Sequence, residues 1–192
     1  MKLRKIHGAI LAVLLSQIVA VSAADLFLVN LQITGKSFDG SDRLTRTRQN
    51  TTSILRDYLA AQEEPTNSVR DLRLVYDVEG DRIAIAHKNG EILADVLAFG
   101  SGTTISNSTD TLRERHVFVF LPEDSVAVGS GVISERLTYD GDGNLIRLSS
   151  KGSFQYVNPG DEETPQEIST GTFSIGRKLV VPETNGPVNV DL

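Results

Sequence analysis

Cysteine is absent from all 192 residues, and so is tryptophan. The first absence removes disulfides, thiolate nucleophiles and every cysteine-ligated metal or iron–sulfur centre. It also excludes a bacterial lipid anchor, which requires a cysteine just after the export cleavage site. Histidine is scarce. Of the three in the chain, His87 and His116 lie outside the amino-terminal leader, and neither belongs to an H-x-H or H-E-x-x-H arrangement. No glycine-rich phosphate loop opens a helix, and Gly100-Ser101-Gly102 and Gly129-Ser130-Gly131 lack the G-x-S-x-G spacing of a nucleophile elbow. No cofactor is therefore expected. Basic runs that could follow a phosphate backbone are missing too, which argues against nucleic acid as a partner.

What is present begins with the first 24 residues. Lys2, Arg4 and Lys5 form a basic start, Ile10–Leu15 and Ile18–Val21 an apolar centre, and Val21-Ser22-Ala23 a small-residue cleavage site. This is the pattern of a cleavable export signal, residues 1–23, with the cut after Ala23. Beyond it no apolar run is long enough to span a bilayer, so no membrane anchor is expected. The leader takes three of the 19 basic residues and none of the 25 acidic ones, so the mature chain carries a net charge of about −9. The expected location is the periplasm or the medium of a bacterial host. A cysteine-free exported chain must be held together by its apolar core alone.

The remainder reads as one β-rich domain, residues 24–181, followed by a flexible tail, 182–192. Leu26–Thr34 is a strand with apolar residues on both faces, and Lys36–Arg48 is polar and glycine-punctuated, as in a loop. Gln49–Ala61 is the one helix: Asn50 to Thr52 offer capping oxygens, and Ile54, Leu55, Tyr58 and Leu59 share a face. Leu72–Val78, Arg82–His87 and Ile92–Phe99 alternate as three strands joined by the short turns Glu79-Gly80-Asp81 and Lys88-Asn89-Gly90. Gly100–Thr111, rich in Gly, Ser, Thr and Asn, reads as a mobile loop. Arg115–Leu121, Val132–Tyr139, Asn144–Val157 and Glu167–Val181 supply further strands, with Asn158–Gln166 an excursion. About eight strands joined by short connections predict an antiparallel barrel or sandwich with one helix packed on it.

One pattern, R-L-x-Y-D-x-x-G, occurs twice, at Arg73–Gly80 and Arg136–Gly143. The second copy resembles the YD repeats of large secreted bacterial repeat proteins. Arrays of that kind need many repeats to bury a core, and two copies read as two hairpins sharing one turn solution. Asp140, Asp142 and Asn144 place oxygen donors at alternate positions, as calcium loops do. Yet the sixth and twelfth loop positions, Leu145 and Lys151, are wrong for an EF-hand-type loop.

Strand parity singles out four polar residues. His87 is in phase with Ile83 and Ile85, Asp95 with Leu93, Leu97 and Phe99, His116 with Phe118 and Phe120, and Glu135 with Ile133, Leu137 and Tyr139. Parity directs Asp95 and Glu135 inward, with His87 or His116 beside one of them, as a ligand-binding set. A buried carboxylate needs a partner, and a bulge would turn any of these residues outward. Three functions fit. The leading one is a non-catalytic exported binding or structural module with a protein partner. The others are a barrel carrier for a small apolar ligand and a barrel-lining acid/base enzyme of the cyclase or isomerase type.

Overall fold

In a computed structural model, residues 26–38, 44–109, 112–122, 126–143, 145–158 and 166–180 are described. The expected leader, Asn144 and the expected tail from residue 182 lie outside these segments. In chain order come β1 (Leu26–Phe38), β2 (Leu44–Asn50), α1 (Thr51–Ala61), a 3-10 helix (Thr66–Asp71), β3 (Leu72–Asp77) and β4 (Arg82–His87). They are followed by β5 (Ile92–Thr109), β6 (Leu112–Phe120), β7 (Gly129–Tyr139), β8 (Leu145–Asn158) and β9 (Glu167–Lys178).

β3 to β9 run as a continuous antiparallel meander, and β1 closes it. One edge of β1 pairs with β9 from Phe27 to Ser37, and Leu26–Leu28 on the other edge pair with β3. The architecture is thus a closed eight-stranded antiparallel barrel, not a sandwich. Closure satisfies the backbone groups that a sandwich leaves at its sheet edges. β2 is an extra strand on the far half of β1, where Gln32–Phe38 pair with Leu44–Asn50.

Two segments differ from the sequence expectation. Lys36–Arg48 contains strand at both ends, because β1 continues to Phe38 and β2 begins at Leu44. β2 reads LTRTRQN and is almost wholly exposed, so it has no apolar face for parity to detect. Gly100–Thr111 likewise belongs largely to β5, which extends to Thr109 and pairs with β6 through an irregular register. Backbone pairing overrides the loop-like composition of that stretch.

The barrel interior is apolar. Phe27, Val29, Leu31 and Ile33 of β1 face Leu74, Ile83, Leu97, Val119, Ile133, Leu148 and Ile175, all buried. Phe99 of β5 stacks on Phe173 of β9 with ring centroids 5.5 Å apart, and Phe154 of β8 lies 6.4 Å from Phe99. β5 and β9 stand on opposite walls, so these rings meet across the lumen. Glycines make room for them. A Cβ on Gly152 would collide with the Phe173 ring, and one on Gly171 with the Phe154 ring. The outward face of β7–β9 is mostly Ser, Thr, Gln and Lys, with Val132, Ile146, Val157 and Ile168 among them.

α1 stops one end of the barrel. Asn50 Oδ1 accepts from the Ser53 N–H at 3.0 Å and Ser53 Oγ accepts from the Asn50 N–H at 2.8 Å, a reciprocal capping box. Ile54, Leu55 and Leu59 are buried in the same core as β1. Outside the wall, Leu26, Val75, Ala84 and Ala86 form a second apolar cluster covered by Leu179, whose N–H donates to the Leu26 carbonyl at 2.8 Å. β3 and β4 are therefore apolar on both faces.

Candidate functional site

Two polar features stand out on this frame, one inside the barrel and one outside. The inner one lies at the end opposite α1. Tyr76 on β3, Arg115 on β6 and Glu135 on β7 point inward from facing walls, and Asp81 reaches in from the β3–β4 turn. Asp81 sits in the left-handed region at φ 46°, a conformation that short polar side chains tolerate best. Its carboxylate accepts both Arg115 Nη1 (Oδ2, 2.7 Å) and Nη2 (Oδ1, 2.9 Å), and the Tyr76 hydroxyl donates to Oδ1 at 2.5 Å. Arg115 Nη2 also donates to Glu135 Oε1 at 3.2 Å, and Arg113 Nε donates to Glu135 Oε2.

The electrostatics are closed: two carboxylates, two guanidiniums and one neutral phenol. Burial, reinforced by the neighbouring Asp81 charge, pushes the Tyr76 phenol well above its usual range and keeps it protonated. The hydrogen bonds that Arg115 donates to Asp81 hold its guanidinium still more firmly charged. The Glu135 side chain is 0 % exposed and Arg115 15 %, whereas Arg113 at 37 % reaches solvent. Arg115 Nε and the Ser150 hydroxyl are buried with no hydrogen-bond partner among the described residues. Ser150 stands directly across the β7–β8 ladder from Glu135.

The four parity candidates do not converge. Glu135 faces the interior as expected, but its partners are arginines and not a histidine. Asp95 faces outward. The β4–β5 register shifts between Ile83↔Leu97 and Ala84↔Asp95, leaving Val96 as an extra residue, and this bulge turns Asp95 onto the outer side with Ala84. There Arg82 bridges Asp95 (2.9 Å) and the buried Asp77 (3.0 Å). His87 ends β4 at the α1 end, half-buried beside Asp71, Leu72 and Tyr58. His116 is exposed on the outer face, since Val117 and Val119, not Phe118 and Phe120, fill the lumen side of β6. Arg113 and Arg115 share the parity of those valines. That shared phase was the signal for the inner network.

The turn after β7 has an explanation in its own geometry. Asp140 Oδ1 accepts the Asp142 N–H at 3.0 Å, and Gly143 takes φ 84°. Asp77, at the same place in the first R-L-x-Y-D hairpin, accepts the N–H groups of Glu79 and Gly80. Both hairpins thus use an aspartate-capped turn. The third calcium candidate, Asn144, lies outside the described residues.

The outer feature is a shallow groove of about 630 Å³ across β6, β7, β8 and β9. Strand register builds it from two parallel rows. One runs Phe118, Ser130, Gln155, Thr170 and the other His116, Val132, Ser153, Thr172. A second depression of about 450 Å³ shares Val132, Ser153 and Thr172 and continues the groove to Asn30 and Gln32 of β1. Small side chains make the floor, while Phe118, 52 % exposed, and His116 make one wall. No carboxylate lines either part among the described residues, and Lys151 is the single charge. Glu114, bonded to Ser134, heads the row Ser134–Lys151–Ser174 that crosses the second depression.

No family model, curated protein or solved structure matches this chain.

Proposed function

We propose that this protein is an exported, non-catalytic β-barrel module that binds an extracellular partner on its outer surface, through the groove over β6–β9. The observation that carries the reading is the set of aromatic and charged contacts across the lumen. Phe99 and Phe173 meet across the barrel at 5.5 Å, and the Tyr76–Arg115–Glu135 bonds tie opposite walls beside them. A small-molecule carrier and a barrel-lining enzyme both need that space for a ligand. The inner charges are also engaged with one another, which suits a structural tie better than a proton-transfer site.

The groove offers the alternative place for recognition. It is concave and exposed, and it combines an aromatic side chain with polar groups that are not used up by ion pairs. The leader supports export, since basic start, apolar centre and cleavage site occur together.

Two measurements test this function. N-terminal sequencing of exported material should begin at Ala24; an intact Met1 would overturn the compartment. The mature chain should sediment with the insoluble envelope and matrix fraction of its host. Ser153→Arg, which fills the groove from an exposed strand position, should leave it in the supernatant. Equal sedimentation of the variant, or none for the native chain, would refute binding through this face.

A further inference from the structure

We infer that the groove over β6–β9 takes a neutral polysaccharide strand. The inference rests on the binding-module reading and adds the chemical class of the ligand. Its floor and walls carry the hydroxyls of Ser153, Thr170 and Thr172, the Gln155 amide and the His116 imidazole. Each of these groups both donates and accepts hydrogen bonds, and sugar hydroxyls do the same. The Phe118 ring, exposed at one wall, offers an apolar face to the C–H side of a pyranose.

Other ligand classes fit less well. An anionic strand asks for arginine forks or several lysines, and the lining has Lys151 alone in a chain of net charge −6. A cationic peptide asks for carboxylates, which the described lining does not contain. A lipid tail asks for a continuous apolar trough, and here apolar Phe118 and Val132 are separated by hydroxyls. What remains is an uncharged ligand covered in hydroxyls.

The shape points to a chain and not a single sugar. The two contiguous depressions cross five strands, β6 to β9 and then β1. With neighbouring strands about 4.8 Å apart, the two depressions follow the curved barrel wall for roughly 19 Å, a bed for several rings of a strand that bends with the wall.

The test is affinity electrophoresis of the mature chain in gels holding one soluble neutral polysaccharide each: hydroxyethylcellulose, xylan, laminarin, galactomannan, dextran or starch. Calorimetry with oligomers of the retarding polymer follows. At least one polymer should retard the chain. Phe118→Ala and Ser153→Arg should each weaken binding by roughly tenfold or more, with circular dichroism and denaturation midpoint unchanged. Affinity should stay level from roughly 50 to 500 mM salt, because no ion pair forms. Retardation by none of the polymers overturns the inference, as does binding that both variants retain or that salt abolishes. If Ser153→Arg still releases the chain from host material while no polymer retards it, the ligand class falls and the binding-module reading survives. Capture of a protein through the same groove would be that outcome.

Discussion

Replacing Glu135 with glutamine keeps its shape and removes its charge at the most enclosed point of the inner network. Both carboxylate oxygens are engaged, Oε1 by Arg115 and Oε2 by Arg113, and the side chain is fully buried. Breaking a buried ion pair from one side costs about 3–5 kcal/mol, because the remaining charge loses its compensation. Two features pull the value to the low end. Arg113 is 37 % exposed and can turn toward water, and Arg115 keeps both of its bonds to Asp81. The expected loss is about 3 kcal/mol, or a fall of roughly 6–12 °C in Tm for a chain of this size. Urea denaturation followed by far-ultraviolet circular dichroism reads the change directly. Adding Arg113→Gln should recover part of the loss, since it removes one of the two cations left behind. A loss below about 0.5 kcal/mol, or a double variant no better than the single one, would show that the network does not hold the walls together.

Leu55→Ala should cost about 2–5 kcal/mol, because Leu55 joins α1 to the barrel core; a change well under one kcal/mol by the same assay would make α1 peripheral. The raised Tyr76 pKa gives a signed pH dependence. Its contribution is complete below the ordinary tyrosine value of 10.0 and is lost as pH climbs above it. Tyr76→Phe should therefore be less stable at neutral pH yet lose less stability in alkali than the native chain; identical alkaline denaturation curves would contradict this. Ser150→Ala should leave stability unchanged or raise it by about 1 kcal/mol, since it removes a buried hydroxyl with no partner; a clear loss would mean that the hydroxyl is bonded in solution. Asp95→Asn should cost under about 1 kcal/mol, because Asp95 is 37 % exposed and Arg82 retains Asp77. A larger loss would place Asp95 in the interior after all.

Much of the barrel was legible because period-2 alternation is strong wherever one face is buried. The strands around Leu74, Ile83, Ile133 and Phe154 follow from the letters, and so does α1, whose cap and apolar face are both local signals. Closure was not legible, since it depends on β1 meeting both β3 and β9, a pairing between the two ends of the fold. β2 escaped because Thr-Arg alternation has no buried side. For the candidate sites, parity placed Glu135 correctly and failed at Asp95, where one extra residue at Val96 reverses the phase. It also failed on β6, where both faces carry large apolar residues and the exposed Phe118 competed with Val117 for the interior. The outer groove has no sequence signature at all. Its rows come from four strands, and only register brings Phe118, Ser130, Gln155 and Thr170 into line.

Methyl resonances distinguish the outer groove from the lumen in one experiment. Val132 points into the groove, while Val119, Ile133 and Leu148 point into the barrel. Soluble fragments released from host envelope and matrix material would be titrated into the carbon-13-labelled mature chain and followed in carbon–proton correlation spectra. Recognition through the outer face predicts shifts in the Val132 methyls and the His116 ring, with the three lumen residues unmoved. Shifts at Val119, Ile133 and Leu148 with Val132 silent would put the ligand inside the barrel and contradict the account.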